Sequence, residues 1–393
     1  MPAAGSHISE VLKSYAASNI IWLHHFVLRH PLCPPEILER FIKGADYRSR
    51  LLALQHPACR REILNDFSDA ADVTVRETVA ANVNCPPEAL VRLARDVDER
   101  VRCAVARNKA APYTVLQALA EDRDLWVLRQ LAANPYLPKS VFGDLELTGE
   151  RVLLEEMAAN PGVPGHVLLW MSAVNTQSIT EAILINPVTP PVVIARLAAR
   201  SKDNVSVLAQ VGRHGNCPYN LQLRLSSHPA VMVRSSVASN PNCKQNILIE
   251  LAKDETPEVR KAVAGNPKAP SSVLCMLAFD SRSSVRAQVA SNPSTPPPTL
   301  AALTGDTDCS LRSRLAKNPG CPPEGIKPLM TDGYRTTRFR ALVHPNCNEG
   351  VVEGTVKEIF FKHQDADMTV LADLTHHPGF PTFLRPMLFV RCG

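Results

Sequence analysis

The strongest constraint in this sequence is a period of 26 residues. Counting in both directions from Asn292, the same position holds His30, His56, Asn82, Asn108, Asn134, Asn160, Asn186, His214, Asn240, Asn266, Asn292, Asn318, His344 and His377. That makes fourteen copies, with the step of 26 broken only by a two-residue insertion before His214 and a seven-residue one before His377. A fixed period of this size marks a solenoid. A unit so short cannot bury its own apolar face, so neighbouring units must bury it by stacking.

The stretch VRAQVASNPSTPPPTLAALTGD, Val285 to Asp306, shows the unit at its clearest. Val285 and Val289 stand four apart, as on one helix face, and the helix must end at Asn292-Pro293 because proline disfavours helix at the residue before it. Pro296 to Pro298 then fall where a second helix starts and a missing N–H costs nothing, and Leu300, Leu303 and Thr304 give it an i, i+3, i+4 face. The same pairs recur as Val75 with Val79, Val101 with Val105, Leu90 with Leu93 and Leu248 with Leu251. Helices of two to three turns persist only when packed against others. The fold class predicted is therefore an all-α solenoid of two-helix repeats.

A length of 393 residues ordinarily suggests two or three domains, but a stacked array carries it as one. The reading is a single solenoid domain over 1–393. An N-terminal helical cap spans 1–22, with Ile8, Val11, Leu12 and Tyr15 at helical spacing, and the helical repeats span 23–355. A degenerate last repeat and C-terminal cap follow over 356–393, where the apolar tail Phe383 to Val390 closes the end of the stack. The run Ile20 to Leu28, interrupted by His24 and His25, reads as a core helix. It has no basic segment or cleavage site before it, so the chain is expected to be cytoplasmic, without a membrane span.

Three columns of the repeat carry chemistry-bearing side chains, and each has a structural explanation. Seven of the eleven cysteines, Cys33, Cys59, Cys85, Cys217, Cys243, Cys321 and Cys347, fall three residues after the anchor. Other units place Ala111, Val163, Thr189, Ala269 or Thr295 there, so the column asks for a small side chain that a buried thiol supplies. With no CxxC present, neither metal nor cofactor is expected. The anchor itself, asparagine or histidine, reads as a hydrogen-bonding ladder. Six residues before it, arginine recurs at Arg50, Arg76, Arg102, Arg234, Arg260, Arg286, Arg312 and Arg338, with aspartate six residues earlier still in five cases, among them Asp280 before Arg286. An acid in register with a base points to pairing within a unit or across to the next, rather than to a phosphate-binding stripe.

The units VRAQVASNPSTPPPTLAALTGD, VRKAVAGNPKAPSSVLCMLAFD and VRETVAANVNCPPEALVRLARD resemble the variant leucine-rich repeat family, and the Asp-to-Val-Arg spacing is similar to HEAT and armadillo-type helical repeats. The resemblance covers roughly residues 23 to 355. It implies a right-handed superhelix of alternating α- and 3₁₀-type helices without a β-sheet. One kind of family member carries an N-terminal cysteine cluster for a 4Fe–4S centre, but Met1 to Leu32 has no cysteine, which removes the case for that cluster here. The resemblance brings no established activity with it.

No GxSxG, HExxH, Walker or GxGxxG element stands in a supporting context, so the chain is not expected to be an enzyme. The nearest catalytic alternative, a HEAT-like DNA glycosylase, needs an acid among aromatic platforms; only Trp126 with Asp122 and Asp124 qualifies, and aromatic residues make up just 5% of the chain. The net charge of +5 names no partner. The middle of the chain breaks the arginine column with Leu128, Leu154, Thr180 and Leu208. Either the local core is thicker here, near the Ser201 to Asn204 insertion, or, if first helices line the concave side, Leu128, Leu154 and Ile185, with Trp126 and Trp170 as anchors, form an apolar trough for a partner's helix or extended peptide. The function expected is a monomeric scaffold for a protein partner, with nucleic-acid binding as the alternative.

Overall fold

The computed structural model describes residues 3–352, except 45, 147, 175, 348, 349 and 351, with side chains from residue 8 onward. Twenty-six α-helices and one 3₁₀ helix occur among the described residues, and no strand. Contacts group the chain into two compact units, Met1–Val193 and Ile194–Gly393. Within each unit a first helix and a second helix alternate, and first helices pack against one another more extensively than second helices do. The chain is an all-α solenoid built of helical pairs.

The repeat positions explain the packing. In Ser283–Ser291, Val285, Ala287, Val289 and Ala290 are buried, and in Pro297–Ala302 so is Leu300, followed by Leu303. Second helices are α-helical and close with tighter bonds of the 3₁₀ type, such as Arg95 N–H to the Arg92 carbonyl at 3.0 Å and Asp96 N–H to Leu93 at 3.2 Å. First helices start on an acid in several units: Asp72, Asp98, Asp124 and Asp308 each accept backbone N–H groups of the first turn. Residues at the −2 position, counted from the anchor, sit where first helices meet. Alanine is usual there, and Gly212 brings two helices closer still, since a Cβ at Gly212 would lie 2.9 Å from Val237 Cγ2.

At the N-terminal end, Ala3–Ala17 packs on Ile21–Arg29, with Leu12 and Ala16 buried and Tyr15 meeting Phe26 edge-on. The expectation of a core helix over Ile20 to Leu28 needs correction. Val27 and Leu28 are buried, but Ile21, Trp22 and Phe26 are exposed, although the helix packs against both Ala3–Ala17 and Tyr47–Gln55. The last repeat and C-terminal cap expected at 356–393, including His377, lie outside the described residues.

Candidate functional site

Each anchor asparagine is buried and fully engaged. Asn292 Nδ2 donates to the carbonyls of Ala264 and Asn266 in the preceding repeat, at 2.7 and 2.9 Å, and its Oδ1 accepts the Ser294 N–H of its own turn at 2.9 Å. Those carbonyls belong to the end of the preceding first helix, Pro257–Gly265, where the last C=O groups have no partner within the helix. The amide therefore satisfies the neighbour's helix end and its own turn at once. The same three bonds recur at Asn82, Asn108, Asn134, Asn160, Asn240, Asn266 and Asn318. Histidine reproduces the pattern with one donor fewer: His344 Nε2 meets the Asn318 carbonyl at 2.7 Å while Nδ1 accepts Asn346 N–H.

The arginine column is likewise bound into the stack, in a register the sequence reading did not identify. Arg286 is bidentate to the Asp306 carboxylate, 2.6 and 3.0 Å, twenty residues on, and its Nη1 donates to the backbone carbonyl of Asp280 at 2.9 Å. The Asp280 carboxylate belongs instead to Arg260. The spacing of six is thus a side-chain bond to backbone, and the ion pair runs at twenty: Arg76 to Asp96, Arg102 to Asp122, Arg234 to Asp254, Arg260 to Asp280, Arg286 to Asp306 and Arg312 to Asp332. Because Asp96, Asp254, Asp280, Asp306 and Asp332 also offer their carbonyls to the next arginine, consecutive repeats there are tied in a chain, which stops at Asp122, where Leu128 follows. Arg286 holds the Asp306 carboxyl below its ordinary value.

The cysteine column lies in the turn after the anchor, where the residue's N–H donates to the anchor carbonyl, as Cys85 does to Asn82 at 3.0 Å. All seven are buried. Burial pushes Cys85 and Cys217 up to about 12 and Cys33, Cys59, Cys243, Cys321 and Cys347 up to about 11. At pH 8 the thiolate fraction is then on the order of one in a thousand or less. Alkylation followed by peptide mass mapping should leave these seven thiols unmodified in native protein and modify all of them in denaturant; rapid native labelling of Cys85 or Cys321 would contradict an inert column. Among the described residues, no three His, Cys, Asp or Glu side chains stand together as a metal site requires. No helix among them is long and apolar enough to cross a membrane.

The five residues expected to bind a partner separate into three locations. Leu128 and Leu154 are buried, at 8% and 5% exposure, which corrects the apolar trough at those two positions. The half-buried site that an arginine fills in flanking repeats is filled there by leucine as part of the core. Trp126 and Ile185 lie exposed on the first helices Leu125–Ala132 and Gln177–Ile185, at 60% and 75%. Trp170 is on a second helix, Gly165–Met171, and so belongs to the other layer. Arg129 stacks over Trp126, 4.8 Å from the ring centroid, and pairs with Glu156 at 2.7 Å. The acids near Trp126 are committed elsewhere, Asp122 to Arg102 and Asp124 to the helix start.

What the columns leave facing solvent is a row on the first helices. In Ile194–Gly393 this row is mostly polar and small, with Met232 and Val343 as exposed apolar exceptions, and it lines two grooves. One, of about 540 Å³, is lined by Arg213, Ser235, Ser239, Lys261, Gly265 and Gln288 among others. The other, of about 560 Å³, is lined by Ser291, Ser310, Ser313, Arg314, Lys317 and Arg340. The sequence reading noticed the serines of this row but not its cations, which occur in repeats one or two apart and never form a run.

Residues 73–98 and 284–308 match the family model described as leucine rich repeat variant. No curated protein matches the chain. Among solved structures, a protein titled a leucine-rich repeat variant with a novel repetitive protein structural motif is 21% identical, over 65% of this chain and 85% of that one, with a TM-score of 0.34. Computationally designed armadillo repeat proteins for modular peptide recognition are 12% identical, over 78% of this chain and 97% of theirs, at a TM-score of 0.11. The chain is a helical repeat protein, and two of its units carry the leucine-rich-repeat-variant pattern.

Proposed function

We propose that this chain is a non-catalytic, monomeric, cytoplasmic scaffold that holds a protein partner along the exposed row of its first helices. One observation carries the reading. The polar columns that recur in register, asparagine, arginine with aspartate, and cysteine, are consumed inside the stack, whereas the exposed first-helix positions change from repeat to repeat on a regular frame. Trp126, Gln130 and Ala133 occupy them in one repeat; Ser284, Gln288 and Ser291, or Ser310, Arg314 and Lys317, occupy them in others. A regular frame with variable side chains suits recognition of an extended segment or a helix. Nucleic-acid binding remains the second reading, supported by the exposed cations Arg213, Lys261, Arg314 and Lys317.

A photoreactive side chain placed at Gln288 or Ile185, on first helices, and at Met276 or Trp170, on second helices, tests this reading in cells. Protein adducts should concentrate at Gln288 and Ile185. Equal yields on both layers, or adducts that a nuclease removes, would count against it.

A further inference from the structure

Resting on that reading, we infer that the row in Ile194–Gly393 takes an extended acidic peptide. Six first helices carry it, from Val205–Arg213 to Arg335–Leu342. Helices pack about 8–10 Å apart and an extended chain rises about 3.3 Å per residue, so about three peptide residues pass each helix. The five steps from Arg213 to Arg340 then accommodate about fourteen residues.

The charge along this path has one sign with one exception. Arg213, Lys261, Arg314 and Lys317 are exposed and Arg340 is half-buried, while Glu258 is the single carboxylate among the residues lining the two grooves. None of these five cations has a carboxylate partner among the described residues; Arg314 and Arg340 rest on the hydroxyls of Ser291 and Ser313. Between them the floor is made of Ser235, Ser239, Gly265 and Ser291, which lets a backbone approach closely and offers it hydroxyl groups.

This distribution fits a peptide better than a nucleic acid. Cations spaced one or two helices apart meet acidic residues spaced along a chain that can place a neutral or basic residue opposite Glu258. A nucleic acid presents a charge at every nucleotide and cannot skip Glu258. Bases also need aromatic platforms, and neither groove is lined by an aromatic residue.

The test is fluorescence anisotropy on the intact protein with three labelled probes of equal length: a Gly/Ser peptide with glutamate at every third position, the same peptide with glutamine there, and oligothymidylate. The glutamate peptide should bind at least about tenfold more tightly than the glutamine peptide, weaken with added salt, and bind more tightly than oligothymidylate. Replacing Arg314→Glu with Lys317→Glu should cost about tenfold or more, and Arg213→Glu with Lys261→Glu a similar factor, at an unchanged melting temperature. If one pair unfolds the protein, the other decides. Equal binding of the two peptides, indifference to both charge reversals, or tighter binding of oligothymidylate overturns the inference. Should that happen while protein adducts still concentrate at Gln288, partner binding stands and only the acidic chemistry of the partner falls.

Discussion

Replacing Asn292 with alanine should destabilise the protein by about 3–5 kcal/mol, the largest single loss expected outside the apolar core. The side chain is buried and makes three bonds. Its removal leaves the buried carbonyl of Ala264 and the N–H of Ser294 without that partner, while the Asn266 carbonyl keeps the Ala269 N–H at 3.0 Å. Each buried polar group left unsatisfied costs about 1–3 kcal/mol. Asn292→His should be milder, because histidine fills the same column at His56 and His344 with a ring nitrogen on the turn N–H and the other on the preceding carbonyl. Urea unfolding gives the loss, and amide exchange at Ser294 locates it. An Asn292→Ala variant within about 1 kcal/mol of the parent would show that the ladder is dispensable.

The anchor, the core pairs and the cysteine column were legible in the sequence because each is a repeated requirement of one local site. Burial demands Val285 and Val289 in one helix and Leu300 in the next; the turn demands a small residue at Cys321 or Thr295. The arginine register was harder, since aspartate occurs both six residues before and twenty after four of the eight arginines, Arg102, Arg260, Arg286 and Arg312. The sequence nevertheless contains the deciding cases. Arg76 has Ala70 six before it yet pairs with Asp96, and Asp122 has Leu128 six after it yet pairs with Arg102. Where arginine becomes Leu128, Leu154 or Leu208, the position twenty later is Thr148, Val174 or His228, so base and acid disappear together.

The expected binding residues were less legible for a different reason. An apolar residue replacing a half-buried arginine can either cover the surface or close the core, and periodicity is the same in both cases. The stack resolves it: Leu128 and Leu154 close the core. Trp126 and Trp170 were grouped by nearness in sequence. Counting from Asn134 and Asn160 puts them on a first and a second helix, which are different layers.

The repeated polar columns hold the stack and leave the first-helix row facing solvent. A second large effect is expected at Arg286 and Asp306, whose side chains are 18% and 7% exposed and joined by two bonds. Either alanine substitution should cost about 2–3 kcal/mol, since it strands a half-buried charge. The Asp306 carboxyl is held below its ordinary value by Arg286, so this contribution is complete above the unfolded carboxylate range and is lost as pH falls through the folded value. Asp280 bonds Arg286 through its backbone carbonyl while its carboxylate, bonded to Arg260, feels Arg286 only through space, so the Asp280 side chain should couple to Arg286 more weakly than Asp306 does. That the polar columns hold the stack is tested by the double-mutant cycle of Arg286→Ala with Asp306→Ala at neutral pH: coupling of about 1 kcal/mol or more is expected, and additive losses would show that the pair does not hold the repeats together.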